Sequence, residues 1–591
     1  MTATPSPIAW TEDGRPRSVL YGDAYFGADD GLSEARTVFL EGCGLPDAWA
    51  GRRQFTVGEL GFGTGLNILA LLDLWRREGP PGGRLHVFSV EAHLMPKADA
   101  ARALAAWPAL APLANLLLDR WPEARRGFHR IELPEVHAVL DLALMEAGEA
   151  LAAWEGRADA WFLDGFAPAL NPAMWREEVL QAVAARSAPG AQAGTFTVAG
   201  AVRRGLEAAG FEVRRAPGHG RKRERLEARR PGTGGDPPPA GPVAVIGAGI
   251  AGASVRRALE ALGVETVQFE AGAPGAGASG NPAGLVTPRL DAGLGPVARL
   301  AAQAFLRALD VYSGLPDAIL ARGVLQLAAN ARDPARFARI AGSDLFPEGV
   351  LEVLDPAGAS ARLGEATDRT GLDQPGALSL DPRKVLVAWC ADPLAGRVES
   401  LAPIPDGWRL TMAGGETRVF GRVVLATGAD LSGLWTEAPV LPVRGQASWV
   451  EGGGAALLRG AGWGGYLAPT AQGFLFGATF RRGETGTEVT EADHQANLQT
   501  LAQARPALAA ALEARPLGGR ARVRATTRDH LPLAGGIPGA LGLFVLGGLG
   551  SRGLTWSPLL GEHVAARVLG APSPLPADLA ALLDPGRENL R

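Results

Sequence analysis

Two glycine-rich turns of different design occur in this one chain, and each requires its own nucleotide-binding fold. The first is Glu59-Leu60-Gly61-Phe62-Gly63-Thr64-Gly65, which follows an apolar stretch and opens a helix expected over Leu66 to Arg77. The second is Gly247-Ala248-Gly249-Ile250-Ala251-Gly252, reached from the apolar run Val243 to Ile246. The E-x-G-x-G-x-G form of the first suits S-adenosylmethionine. The G-x-G-x-x-G of the second suits a dinucleotide pyrophosphate at a helix N-terminus. A methyl donor and a redox cofactor on one polypeptide suggest two consecutive reactions on one substrate.

A chain of 591 residues is too long for a single core. The boundary is expected at Arg230 to Gly241, where proline and glycine dominate and no apolar period survives. That gives a first domain over 1–229, a linker over 230–241 and a second domain over 242–591. Apolar content of 47% and charged content of 20% are those of a globular protein. The N-terminus has no signal pattern, and no run approaches the roughly 20 apolar residues that span a bilayer. Cys43 and Cys390 have no metal or disulfide spacing. A cytoplasmic enzyme, without metal or membrane, is the expectation. The net charge of −4 exerts no global pull on nucleic acid, so such a partner needs a local basic patch.

In the first domain, strands are expected at Phe55–Leu60, Arg84–Val90, Asp159–Leu163 and Gly194–Ala199. A helix over Val202–Ala209 and a closing pair near Phe211–Arg215 and Glu224–Ala228 complete a doubly wound sheet. Its ligand belongs at the carboxyl ends of the strands. Gly61, Gly63 and Gly65 let the backbone approach the methionine part of the donor, and Glu59 orients it. Glu91, ending the second strand, is placed to accept both ribose hydroxyls. Asp164 is placed to accept N–H from the attacking amine and so aim its lone pair.

In the second domain, Gly247, Gly249 and Gly252 shape the pyrophosphate turn, and Glu270, ending the next strand, is placed on the adenosine ribose. This fingerprint alone serves flavin and nicotinamide equally. Gly428, in Val423 to Ala429, and Gly550 with Arg552, in Leu546 to Thr555, favour FAD. The second of these turns leads into a helix whose dipole would stabilise negative charge on a reduced isoalloxazine.

Longer strings carry a resemblance. FLEGCGLP, ELGFGTGLN, DAWFLDGFAPALNPAMW, TFTVAGAVRRGLEAAGF and GRKRE resemble one methyltransferase family. VAVIGAGIAGAS, GASGNPAGLVTPRL, RATTRDHLPL and GLGSRGLTWSPLLGE resemble the flavin domain fused to it. Together they are similar to the bacterial bifunctional enzymes that finish 5-methylaminomethyl-2-thiouridine at the tRNA wobble position. The resemblance implies a Rossmann-like methyltransferase domain and an FAD-binding α/β domain with an antiparallel-sheet substrate subdomain, like glycine and D-amino-acid oxidases. It implies oxidative removal of a carboxymethyl group, then methylation of the exposed amine, on tRNA and by a monomer. Where the family commonly has Gly-Asp at the adenine pocket, this chain has Met145-Glu146, and Glu146 takes that place. The likeness to amino-acid oxidases assigns Tyr466 and Arg524 to the substrate carboxylate, which a planar guanidinium suits.

The basic segment is Arg214, Arg215, Arg221, Lys222, Arg223, Arg225, Arg229 and Arg230, with Arg203 and Arg204 before it. It argues for RNA against the alternative of an oxidase and N-methyltransferase for free amino acids such as glycine or sarcosine. A non-catalytic RNA scaffold is opposed by the intact glycine turns and acids at both sites.

Overall fold

The computed structural model describes residues 8–27, 30–220, 222–233, 241–452 and 459–590. Two compact units emerge: Met1–Pro239 with Gly570–Ala577, and Ala240–Leu569 with Asp578–Arg591. Most of the expected linker, residues 234–240, lies outside the described residues.

The first unit is built on one eight-stranded sheet. Its order is Gly127–Leu133, Ala138–Leu144, Arg84–Glu91, Gln54–Leu60, Ala158–Leu163, Ser187–Thr195, Glu224–Arg229, Glu212–Pro217. The five strands from Ala138–Leu144 to Ser187–Thr195 are parallel. A strand covered on both faces must be apolar throughout, and Phe55 to Leu60 is buried without a break. The helix Leu66–Glu78 returns the chain across the sheet.

Two features depart from the sequence reading. The strand expected at Gly194–Ala199 runs instead over Ser187–Thr195, with a register shift opposite Ala158 to Ala160. Its small residues are needed because the helical turn Arg36–Glu41 lies against it: a Cβ on Gly194 would meet Val38 O at 2.4 Å. The antiparallel hairpin Gly127–Leu133 and Ala138–Leu144 was not expected. Within it Arg130 and Asp141 form a buried bidentate pair, and Arg130 also donates to Pro572 O of the segment returning from the C-terminus.

The second unit has two main sheets. The cofactor-type sheet places Leu394–Ala395, Thr266–Glu270, Val243–Ile246, Val423–Leu425 and Leu543–Gly547 in parallel, with Leu533–Gly536 antiparallel at the edge. A mostly antiparallel sheet of ten strands carries Gly371–Leu380, Ile319–Leu327, Tyr466–Pro469, Leu441–Glu451 and Gly518–Thr526. The helix Gly553–Leu569 is buried along most of its length, which its Trp556, Leu559, Leu560 and Val564 require.

Candidate active sites

Adjacent parallel strands in the first unit deliver Glu59, Glu91, Glu146 and Asp164 to one edge of the sheet. Gly61 has a φ of +92°, and a Cβ there would lie 2.8 Å from Asp164 O. Only glycine lets the two strand ends close up in this way. Gly63 N donates to Glu91 Oε2 at 3.0 Å and His93 N to its Oε1 at 2.8 Å. Each Glu91 oxygen keeps a free lone pair for a hydroxyl. Gly65 ends the turn as the left-handed cap of the helix Leu66–Glu78.

Glu59 is fully buried. Ser89 Oγ donates to its Oε2 at 2.5 Å, while Oε1 has no partner among the described residues. Burial pushes its carboxyl up to about 8. A buried acceptor without a donor is costly, and an ammonium group would supply the missing one. Together with the glycine turn, this orphan fits the amino end of S-adenosylmethionine.

Asp164 accepts from Asn67 Nδ2 and from Gly165 N, both at 2.8 Å, and burial raises it to about 6. Glu146 stands exposed at the N-cap after Ala138–Leu144, one residue past Met145, whose N–H donates to Glu91 O.

The sequence reading missed the strap over this site. Tyr21 packs on Phe166 with ring centroids 4.8 Å apart, and Tyr25 meets Phe166 edge-on at 5.2 Å. Asp23 Oδ2 accepts from Ala167 N and ties the strap to the loop after Asp164. The carboxylates of Glu146 and Glu91 lie close enough to Tyr21 to raise its hydroxyl, after burial itself. No glycine pattern or strand end marks these residues, so composition held no signal for them. Asn67, in the first turn of the helix, was legible only as part of the string ELGFGTGLN.

The basic segment spends much of its charge locally. Arg214 and Arg225 pair with Glu227, Arg215 with Glu224, Arg203 with Glu207 and Lys222 with Glu34. Arg229 donates to Gly232 O, and Arg221 lies outside the described residues. Arg204, Arg223 and Arg230 make no ion pair among the described residues.

The second unit repeats the acid-on-turn geometry. Ala248 N donates to Glu270 Oε2 at 2.7 Å and Gly272 N to Oε1 at 2.9 Å. Gly247, at φ +112°, would place a Cβ 2.4 Å from Ala426 O, and a Cβ on Gly252 would fall 1.9 Å from Gly247 O. Strand, turn and helix are thus packed too closely for any side chain. Gly249 precedes Ile250, whose N–H donates to Ser279 Oγ at 3.0 Å. Gly428 follows the strand Val423–Leu425 with open space around it, and Thr427 Oγ1 beside it is buried without a partner among the described residues. Close packing, the Glu270 carboxylate and the orphaned hydroxyl fit a dinucleotide. Ser279 and Thr427 carried no sequence signal of their own.

Gly550 turns the chain at φ +58° into the long helix, its N–H donating to Ala525 O. Arg552 donates to Thr287 Oγ1 at 3.1 Å, and burial, with Arg289 and Arg336 nearby, lowers its pKa. Arg524 lies over Gly445, where a Cβ would meet its guanidinium at 2.6 Å. It is half-buried and makes no ion pair among the described residues. Burial raises the Tyr466 hydroxyl, and the Arg524 charge opposes that rise. Arg444, in contrast, is committed to a buried pair with Asp493.

A family model described as S-adenosyl-L-methionine-dependent methyltransferase matches residues 108–231, and one described as FAD dependent oxidoreductase matches residues 242–567. The cofactors are therefore S-adenosylmethionine and FAD. A solved Amadoriase I mutant from Aspergillus fumigatus shares the fold of the second unit. Its TM-score is 0.50 at 16% identity, over 60% of this chain and 92% of that one. A protein of a Caulobacter species, named a tRNA 5-methylaminomethyl-2-thiouridine biosynthesis bifunctional protein, is 57% identical over 100% of this chain and 98% of its own length. Proteins of the same name from Caulobacter vibrioides and Maricaulis maris are 56% and 42% identical, over 99% of this chain and 98% and 96% of theirs. With both cofactor cradles present in the expected order, the chain belongs to the family of tRNA 5-methylaminomethyl-2-thiouridine biosynthesis bifunctional proteins.

Proposed function

We propose that the chain completes a wobble-uridine side chain on tRNA in two steps. The second unit removes the carboxymethyl group from 5-carboxymethylaminomethyl-2-thiouridine. The first then methylates the primary amine to 5-methylaminomethyl-2-thiouridine at tRNA position 34. The observation that carries this reading is Arg524: a half-buried guanidinium with no acidic partner among the described residues, near enough for its charge to act on the Tyr466 hydroxyl, which suits the substrate carboxylate. When bound, FAD accepts the two electrons leaving the α-carbon, and S-adenosylmethionine supplies the methyl group.

The chain's own residues bind and orient. Arg524 and Tyr466 fix the carboxylate, so that the C–H bond to be broken has one direction. Loss of hydride and the amine proton leaves an imine, and water splits it into the primary amine and glyoxylate. In the first unit Asp164, held by Asn67 and Gly165, accepts N–H from that amine and points its lone pair at the methyl group. Glu59 takes the donor's ammonium, Glu91 its ribose hydroxyls, and Glu146 borders the adenine. Glu270, Gly428, Gly550 and Arg552 hold FAD.

The protein acts on this reading as a cytoplasmic monomer. Among the described residues no single helix is long and apolar enough to cross a membrane. The test uses tRNA bearing 5-carboxymethylaminomethyl-2-thiouridine, with nucleosides identified by mass spectrometry. Without S-adenosylmethionine the product stops at the primary amine, and with it the methylated nucleoside accumulates. Unchanged tRNA, with turnover of free glycine or sarcosine instead, refutes the tRNA reading.

A further inference from the structure

A cavity of about 640 Å³ opens beside Arg552, within the range of about 300–1,000 Å³ usual for small-molecule sites. Its wall is strongly polar. Arg289, Arg336 and Arg552 line it, together with Gln326, Asn330 and Gln374. Most of these side chains are already engaged. Arg552 holds Thr287, Arg336 pairs with Asp333, Gln326 donates to Leu327 O and Asn330 to Asp333.

Gln374 is the exception. It is 1% exposed, and its Oε1 is buried with no hydrogen-bond partner among the described residues. It sits mid-strand in Gly371–Leu380, opposite Val324, so its position is set by the sheet ladder rather than by a loop. A buried amide with no partner costs stability, and a fold gains nothing from glutamine there that leucine would not supply better. An amide offers one acceptor and one donor side by side, and its complement is a group with one N–H beside one carbonyl. That is an imide edge, as in a uracil ring, where N3–H lies next to the C4 carbonyl.

We propose that Gln374 is the residue through which the oxidase unit reads the pyrimidine of its substrate: its Oε1 accepts from N3–H and its amide nitrogen donates to O4. This rests on the tRNA reading above and adds to it the basis of discrimination. Arg524 recognises the carboxylate, common to every N-substituted glycine, whereas Gln374 recognises the base. Loss of a hydrogen-bonding partner in a site built for it rejects an analogue far more strongly than a size mismatch does.

The flavin ring also carries an imide, so the experiment separates the two sources. The probes are the nucleoside 5-carboxymethylaminomethyl-2-thiouridine and its N3-methyl derivative, each measured as an inhibitor of tRNA turnover by the full-length holoenzyme. The wild type is expected to bind the N3-methyl compound at least tenfold more weakly. Gln374→Leu should raise KM for tRNA at least tenfold, bind both nucleosides alike, and keep its FAD content and visible spectrum. Gln374→Glu, which loses the donor, should also raise KM. An unchanged ratio between the two nucleosides in Gln374→Leu overturns the proposal. So does a variant that loses or spectrally alters FAD, which assigns the amide to the flavin imide. Should the wild type fail on carboxymethylated tRNA altogether, the functional reading itself falls, and this inference with it.

Discussion

Replacing Asp164 with asparagine separates chemistry from folding, because the structure predicts opposite effects on the two. The carboxylate is buried, and its rise from 3.8 to about 6 corresponds to a cost of about 3 kcal/mol for holding the charge. For an acid whose pKa is raised on folding, that cost is absent below about 4, grows between about 4 and 6, and is complete above 6. Asp164→Asn should therefore be no less stable than the wild type at pH 7.5. Its amide oxygen can keep the 2.8 Å bond from Gly165 N, but its NH2 then confronts Asn67 Nδ2 and the substrate amine. Methyl transfer should fall about 100-fold, or about 2.7 kcal/mol in barrier, while removal of the carboxymethyl group is untouched. The assay is methyl incorporation into tRNA already bearing the primary amine. In the wild type the rate should decline as pH falls through about 6, where Asp164 takes up its proton, and the asparagine variant should lack that limb. A normal rate in the variant, or an equal loss in the oxidative step, refutes the assignment.

Four further outcomes follow from the geometry. Arg524→Lys should lower kcat/KM for carboxymethylated tRNA nearly as much as Arg524→Ala, by roughly 3 kcal/mol, because lysine lacks the planar fork; normal processing by the lysine variant rules out the clamp. Glu59, raised to about 8, is largely protonated at pH 7 in the free protein, so binding S-adenosylmethionine should release a proton. Calorimetry in buffers of different ionisation enthalpy measures this, and Glu59→Gln should abolish it. The protein should purify yellow with FAD released by acid, whereas Gly247→Ala, whose Cβ would meet Ala426 O at 2.4 Å, should lose FAD. Pieces divided within residues 232–239 and expressed together, because the first unit also takes in Gly570–Ala577, should each fold and perform their own step; an insoluble and inactive half argues against a linker there.

What could be read from the sequence, and what could not, divides along a physical line. A glycine turn is local: its backbone conformation and the strand and helix around it are written in consecutive residues. Glu91 and Glu270 were found because each ends the strand beside such a turn, and both accept a turn N–H in the same manner. The strand Ser187–Thr195 was misplaced because its small residues answer to Val38 and the helical turn that crosses it, a constraint far away in sequence. The same is true of the Tyr21, Tyr25 and Phe166 strap, of Ser279 at the pyrophosphate turn and of Gln374 in its sheet. Each is an ordinary residue in its own neighbourhood and acquires a role only when distant segments meet. The basic run shows the converse case. Charge counted along the chain does not show which cations are paired: across two antiparallel strands Arg214 meets Glu227 and Arg215 meets Glu224, while Arg225 pairs with Glu227 within one strand. The exposed pair Arg215–Glu224 contributes little to stability and is screened by salt, whereas Arg225 and Glu227 are buried. Arg204, Arg223, Arg229 and Arg230 have no acidic partner among the described residues and are the cations left for a phosphate backbone. The affinity they confer should fall steeply with salt, whereas recognition of the base in the oxidase unit should not.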